Sequence, residues 1–180
     1  MNKNGKYSMI KKVTSTAASL LFIAGCTYNN TEDSIDVADD YLGLKERQHR
    51  YELTNFLGVD PLYTEWCAAF VNAVLAEDNI PNLYTIDNKY PLMARSFTQW
   101  GLPVNKNDVQ RGDIVIFPRG NTEWKGHVGF YYGTTPEGYW VILGGNQDNS
   151  VSYELYNPRT AISVRRWPKG WTINGKKIST

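Results

Sequence analysis

Apolar positions along this chain change their spacing once, near residue 112, and the change divides the sequence into a helical part and a strand part. Ser34 is placed to cap a first helix running to about Leu42, and Glu46 to Leu57 predicts a second, with Tyr51, Leu53, Phe56 and Leu57 as its apolar positions and Gly58 as its stop. A third helix is expected from about Glu65 to Glu77, with Thr64 as its cap. Ala68, Phe70, Val71, Ala73, Val74 and Leu75 make it apolar nearly all round, the mark of a central, buried helix. A short fourth helix near Leu92 to Trp100 ends at Gly101. Beyond Gly112 come β-branched and aromatic runs separated by glycine and proline. Asp113 to Phe117, His127 to Tyr132, Tyr139 to Leu143, Val151 to Leu155 and Ala161 to Trp167 predict five antiparallel strands. Helices followed by an antiparallel sheet define an α+β domain.

The first 25 residues follow another logic. Lys3, Lys6, Lys11 and Lys12 precede the apolar stretch Ala17 to Ala24, and no acidic residue interrupts them. This is the layout of a secretory signal, and the apolar part is much shorter than the roughly 20 residues a spanning helix needs. Ala24 and Gly25 before Cys26 resemble a bacterial lipobox, which implies a lipoprotein acylated at Cys26 and held to a membrane by that lipid. Thr27 after the lipid site favours the outer membrane, facing the periplasm, in a host with two membranes. The expected organisation is a signal peptide over residues 1–25, a lipidated tether over 26–37 and one catalytic domain over 38–180.

Charge narrows the partners. Without residues 1–25 the chain has 15 basic and 18 acidic residues, a balance of −3, where a nucleic-acid partner would favour a basic surface. With Cys26 acylated, Cys67 has no partner for a disulfide, although exported proteins usually pair their cysteines. A free thiol in an oxidising compartment points to catalysis. The two histidines stand 78 positions apart with no clustered ligand set, so no metal is expected, and no cofactor motif is present.

Cys67 falls in the first turn of the buried helix, where the helix dipole favours thiolate. His127 opens a strand after Gly126, sharing a face with Gly129 and Tyr131, and is the candidate base. His49 lies among Lys45, Glu46, Arg47, Gln48 and Arg50, a solvated helix face. Asn146, after Gly144-Gly145, is the candidate to orient the imidazole, with Gln147 and Asp148 as alternatives. Trp66 and Trp124 flank the nucleophile and base in sequence and are candidate substrate-binding residues. Arg119 and Lys125 share a loop with Trp124, so a groove with aromatic walls and cations would suit peptides bearing carboxylates. Trp140, Trp167 and Trp171 are expected to pack in the core or at the sheet edge.

The segments Trp66-Cys67-Ala68-Ala69-Phe70-Val71-Asn72, Gly112-Asp113-Ile114-Val115-Ile116-Phe117, Gly126-His127-Val128-Gly129-Phe130-Tyr131 and Leu143-Gly144-Gly145-Asn146-Gln147 occur in this order. Together they resemble the NlpC-type and CHAP-type amidohydrolases over roughly Ala38 to Pro168. That resemblance implies a reduced papain-like fold and cleavage of amide bonds in the peptide part of bacterial peptidoglycan, or of the bond joining that peptide to the sugar chain. It implies nucleophile for Cys67, base for His127 and orienter for Asn146. Many CHAP-type members carry an acidic residue where this chain has Gly144, which leaves the third role to Asn146 by elimination. The expected protein is a monomeric, lipid-anchored cysteine amidohydrolase acting on peptidoglycan. The competing expectation is a wall-binding lipoprotein that keeps the fold without turnover.

Overall fold

Eight of the eleven positions of the third helix, α3 (Cys67–Glu77), are buried, as its apolar character requires. The computed structural model describes residues 33–168, 172–173 and 176–177; the signal segment, Cys26 and Trp171 lie outside them. Trp66 occupies the cap position of α3 with no side-chain cap bond, so Thr64 does not start it. The preceding helices are α1 (Asp33–Asp39) and α2 (Arg50–Leu57). Gly58 closes α2 in the left-handed conformation at φ 69°, the stop expected of it. Residues 46–49 form turns instead of helix, and His49 Nδ1 accepts the Lys45 N–H at 2.9 Å.

Ile35 and Ala38 of α1 are fully buried in the core, so α1 packs with the rest of the domain. Ser34 lies inside α1 and donates to Asp78 at 2.6 Å, beside the end of α3, where it ties the two helices together. The segment expected as a fourth α-helix is a 3-10 helix, Ala94–Gln99. Phe97 and Trp100 are both fully buried, and three-residue spacing stacks them on one side of that tighter helix.

The sheet has six strands, not five: β1 (Leu102–Val104), β2 (Ile114–Pro118), β3 (Gly126–Thr134), β4 (Trp140–Gln147), β5 (Ser150–Tyr156) and β6 (Ser163–Arg166). They lie in the order β1-β6-β2-β3-β4-β5, all antiparallel. The unexpected β1 is three residues long with Pro103 at its centre, too short and too proline-interrupted to read as a strand. It is tolerated at the sheet edge, where proline's missing donor costs no bond. A small separate pair joins Thr172–Ile173 to Lys176–Lys177.

The sheet has two apolar faces. Val128, Phe130, Leu143 and Val151 pack with α3 and the other helices. Val115, Phe117, Tyr131, Trp140, Ile142 and Val164 form a second cluster on the opposite face. Because His127 pairs with Phe117 and Tyr131 with Ile142, His127 belongs to that second face. Asp113, almost fully buried, accepts from Arg166 through both carboxylate oxygens at 2.6 and 2.7 Å and from the Gln110 N–H, tying β6 to the start of β2. Among the described residues, no helix is long and apolar enough to cross a membrane.

Candidate active site

Cys67 is the first residue of α3, is 3% exposed and is a free cysteine. Gly145 explains how close α3 comes to the sheet: a Cβ there would lie 2.5 Å from the Trp66 ring and 2.6 Å from Phe70. The thiol meets the sheet at the peptide joining His127 to Val128. Burial pushes the Cys67 thiol up from its ordinary value; the Arg119 charge and hydrogen bonds from the Val128 and Ala68 N–H groups pull it down, but less. The expectation that the helix start would favour thiolate therefore gives way to desolvation.

His127 is 2% exposed, and burial, reinforced by the Arg119 charge, pushes its pKa down to about 4. Thiol and imidazole are both neutral at neutral pH. The imidazole ring stacks on Tyr156, with centroids 5.6 Å apart and planes 4° apart, and Tyr156 stacks in turn on Phe117. Nε2 donates to Gln147 Oε1 at 2.9 Å. Nδ1 is buried and has no hydrogen-bond partner among the described residues. An imidazole whose Nε2 carries the proton keeps a lone pair on Nδ1.

Gln147, not Asn146, stands against the imidazole, and the backbone explains why. Strict alternation along β4 would put Ile142, Gly144 and residue 146 on the His127 face. Between Gly144, opposite Ser152, and Gln147, opposite Ser150, two residues of β4 face one of β5. This β-bulge reverses the alternation, with Asn146 at φ 58°. Gln147 then lies over Gly144, where a Cβ would sit 3.2 Å from Gln147 Oε1 and 3.3 Å from His127 Nε2. The absent side chain at Gly144 makes room for the glutamine that faces the histidine. Asp148 and Asn149 both have positive φ and form the exposed hairpin tip, so Asp148 does not face His127. Asn146 instead donates to Glu65 at 2.9 Å, while its carbonyl accepts from Arg119 at 3.0 Å.

A pocket of about 400 Å³ opens beside Cys67, between the 3-10 helix and the loop after β2. Glu65, Met93, Arg119, Trp124 and Lys125 are among its walls. Trp124 is 62% exposed and lines it. Trp66 is fully buried, with its Nε1 donating to Glu46, so it supports the core beneath the site and does not line the pocket. Trp140 is buried and Trp167 packs on Trp100, both as expected. Asn72 braces the pocket from below: it accepts from the Leu83 N–H and donates to the Pro91 carbonyl, fixing the segment that carries Met93. Glu65, Ser152 and Tyr156 join the site only through folding; no local sequence signal marks them.

Comparison with known proteins adds two findings. Residues 59–146 match the family model described as the CHAP domain. Among solved structures, the crystal structure of an NlpC/P60 family protein from Bacillus cereus ATCC 10987 has the same fold, with a TM-score of 0.50 at 18% sequence identity. The match covers 76% of this chain but only 40% of that one. No curated protein matches the chain.

Proposed function

We propose, from the match of residues 59–146 to the CHAP domain family model, that this protein is a cysteine amidohydrolase cutting an amide bond in the peptide part of bacterial peptidoglycan. The observation that carries the reading is a free thiol at a helix start, opening onto a pocket and lying against the backbone that follows a buried histidine. That histidine has one nitrogen fixed by Gln147 and the other unbonded.

The starting pair is neutral, so thiol deprotonation accompanies attack. Cys67 Sγ forms a bond to the amide carbonyl carbon while its proton passes to His127 Nδ1. The tetrahedral adduct collapses as the C–N bond breaks, and the imidazolium returns that proton to the leaving amine. Water, deprotonated by the neutral imidazole, attacks the thioester; the C–S bond breaks, the acyl group leaves as a carboxylic acid and the thiol regains a proton. Gln147 holds the imidazole by accepting the hydrogen bond from Nε2–H throughout. First-turn N–H groups of α3 are the natural donors to the oxyanion.

Location completes the proposal. The N-terminal charge pattern and the small residues before Cys26 support export and lipid anchoring, which would hold the domain beside the wall, at the outer membrane in a host with two membranes. The direct test is incubation of the protein and its Cys67→Ala form with purified peptidoglycan, followed by mass spectrometry of released fragments. Fragments from the first alone support the proposal, and their masses name the bond. Wall binding without fragments from either replaces it with the non-catalytic alternative.

A further inference from the structure

Arg119 is the structural hub of the pocket beside Cys67. Its Nη1 donates to Glu65 at 2.9 Å and its Nη2 to the Asn146 carbonyl at 3.0 Å. Glu65 also accepts from Asn146 at 2.9 Å, so the three residues form a closed ring at the pocket wall. The two bonds to Arg119 differ in permanence. The Asn146 carbonyl is fixed by the bulged backbone of β4, whereas the Glu65 side chain is 80% exposed and Arg119 only 39%. An ion pair with one partner so exposed is worth about 0–1 kcal/mol, so a competing carboxylate can replace Glu65 while Asn146 keeps the guanidinium aimed. On the same pocket, Lys125 lies over the Trp124 ring at 5.2 Å and makes no ion pair among the described residues. The pocket thus presents two cations against one displaceable anion, with an aromatic wall beside them.

We propose that Arg119 docks a carboxylate of the substrate next to Cys67, with Glu65 as the counter-ion that the substrate displaces and Lys125 and Trp124 lining the same pocket. The substrate class is a peptide with a free carboxylate close to the scissile amide. The inference deepens the amidohydrolase reading and rests on Cys67 being the reacting atom. In the place of Glu65 the carboxylate takes the charge-assisted bond from Arg119 Nη1, which a neutral amide on the substrate does not match in strength. The Arg119 charge also helps to lower the Cys67 thiol.

The test needs no knowledge of the natural substrate. Iodoacetate and iodoacetamide alkylate thiols by the same displacement of iodide, but only the first carries a carboxylate. Their rate constants at Cys67 are measured on the full-length protein by mass spectrometry of the Cys67 peptide, and the ratio cancels changes in thiol reactivity common to both. The expected ratio for the wild type exceeds that of free cysteine. Arg119→Gln lowers it by about tenfold, the size of one charge-assisted contact, and Glu65→Gln raises it by removing the competitor. Should Arg119→Gln fail to fold, Glu65→Gln decides alone. A wild-type ratio no higher than that of free cysteine, or one that both substitutions leave unchanged, overturns the carboxylate site. Peptidoglycan digestion run alongside separates the two claims. Cys67-dependent fragments with an unresponsive ratio sink the docking role and keep the hydrolase, while a responsive ratio without fragments does the reverse.

Discussion

Gln147 Oε1 accepts a hydrogen bond from His127 Nε2 at 2.9 Å, and the orientation of that amide is set from behind. Gln147 Nε2 donates to the Ser152 carbonyl at 2.6 Å, which turns the carbonyl end of the amide toward the histidine, and Tyr156 O–H donates to the same Oε1 at 3.3 Å. Proton placement on the imidazole thus follows from two backbone carbonyls, Ser152 on β5 and, at 3.3 Å, Ile142 on β4. Gln147→Ala is expected to lower kcat by about 10- to 100-fold with little change in KM, since it loosens the base without touching the pocket. Gln147→Glu places a carboxylate at Nε2 and raises the His127 pKa from about 4 toward its ordinary value. The acid limb of the kcat/KM profile should then move to higher pH; an unmoved limb would count against Gln147 as the orienter.

Burial of His127 also makes stability depend on pH. Its folded pKa of about 4 is below the ordinary 6.5, so between those values the unfolded chain binds the proton that the folded one refuses. The contribution is full above about pH 6.5 and is lost as pH falls toward 4, amounting to about 3 kcal/mol at most. Urea titrations of wild type and His127→Gln at several pH values check this. The wild type should lose stability faster than the variant between pH 6.5 and 5, and parallel curves would show that the imidazole is not held neutral by burial.

Gly145 sets how close α3 comes to β4. A methyl group there meets the Trp66 ring and Phe70 at distances real side chains do not tolerate. Gly145→Ala should destabilise the fold by about 1–3 kcal/mol. It should also lower activity by more than the folded fraction explains, because Trp66 precedes Cys67. Denaturation midpoints and specific activity of the folded protein, measured together, separate the two effects.

Asp113 belongs to the same sequence neighbourhood as the site but serves the scaffold. Its carboxylate is buried and bonded by Arg166 and the Gln110 N–H. Asp113→Ala takes the carboxylate from Arg166 Nε and the Gln110 N–H, while Arg166 Nη2 keeps the Asp108 carbonyl, and should cost about 3 kcal/mol. Stability by chemical denaturation should fall while Cys67 alkylation in the folded protein keeps its rate. A change confined to alkylation would place Asp113 in the site instead.

These residues also show what the linear pattern could and could not convey. The central helix was legible because a run of apolar residues all round has only one place to go, and His127 because strand alternation and Gly129 marked its face. Structurally, the close approach at Gly129 is filled by Ile142 and the Leu143 carbonyl of β4, which a Cβ would meet at 2.6 and 2.8 Å. The sequence leaves Asn146, Gln147 and Asp148 open beside the histidine; Gln147 is the one bonded to it because a bulge reverses every face beyond it, and nothing local announces a bulge except a residue such as Asn146 that tolerates positive φ. Trp66 was misassigned because nearness to Cys67 in sequence is no guide to direction on a helix start. The thiol's ionisation was misjudged because burial of Cys67 outweighs the helix start, and burial comes from elements far apart in the chain.

The central claim is that Cys67 carries the acyl group of a peptidoglycan stem during turnover. Acid-quenching the protein while it digests peptidoglycan, then weighing the peptide that contains Cys67, tests this most directly. The account expects a stem-derived adduct on Cys67 that disappears when substrate is exhausted, and no turnover by Cys67→Ala. Fragment release continuing in Cys67→Ala, with the wild-type Cys67 peptide unmodified throughout, would contradict it.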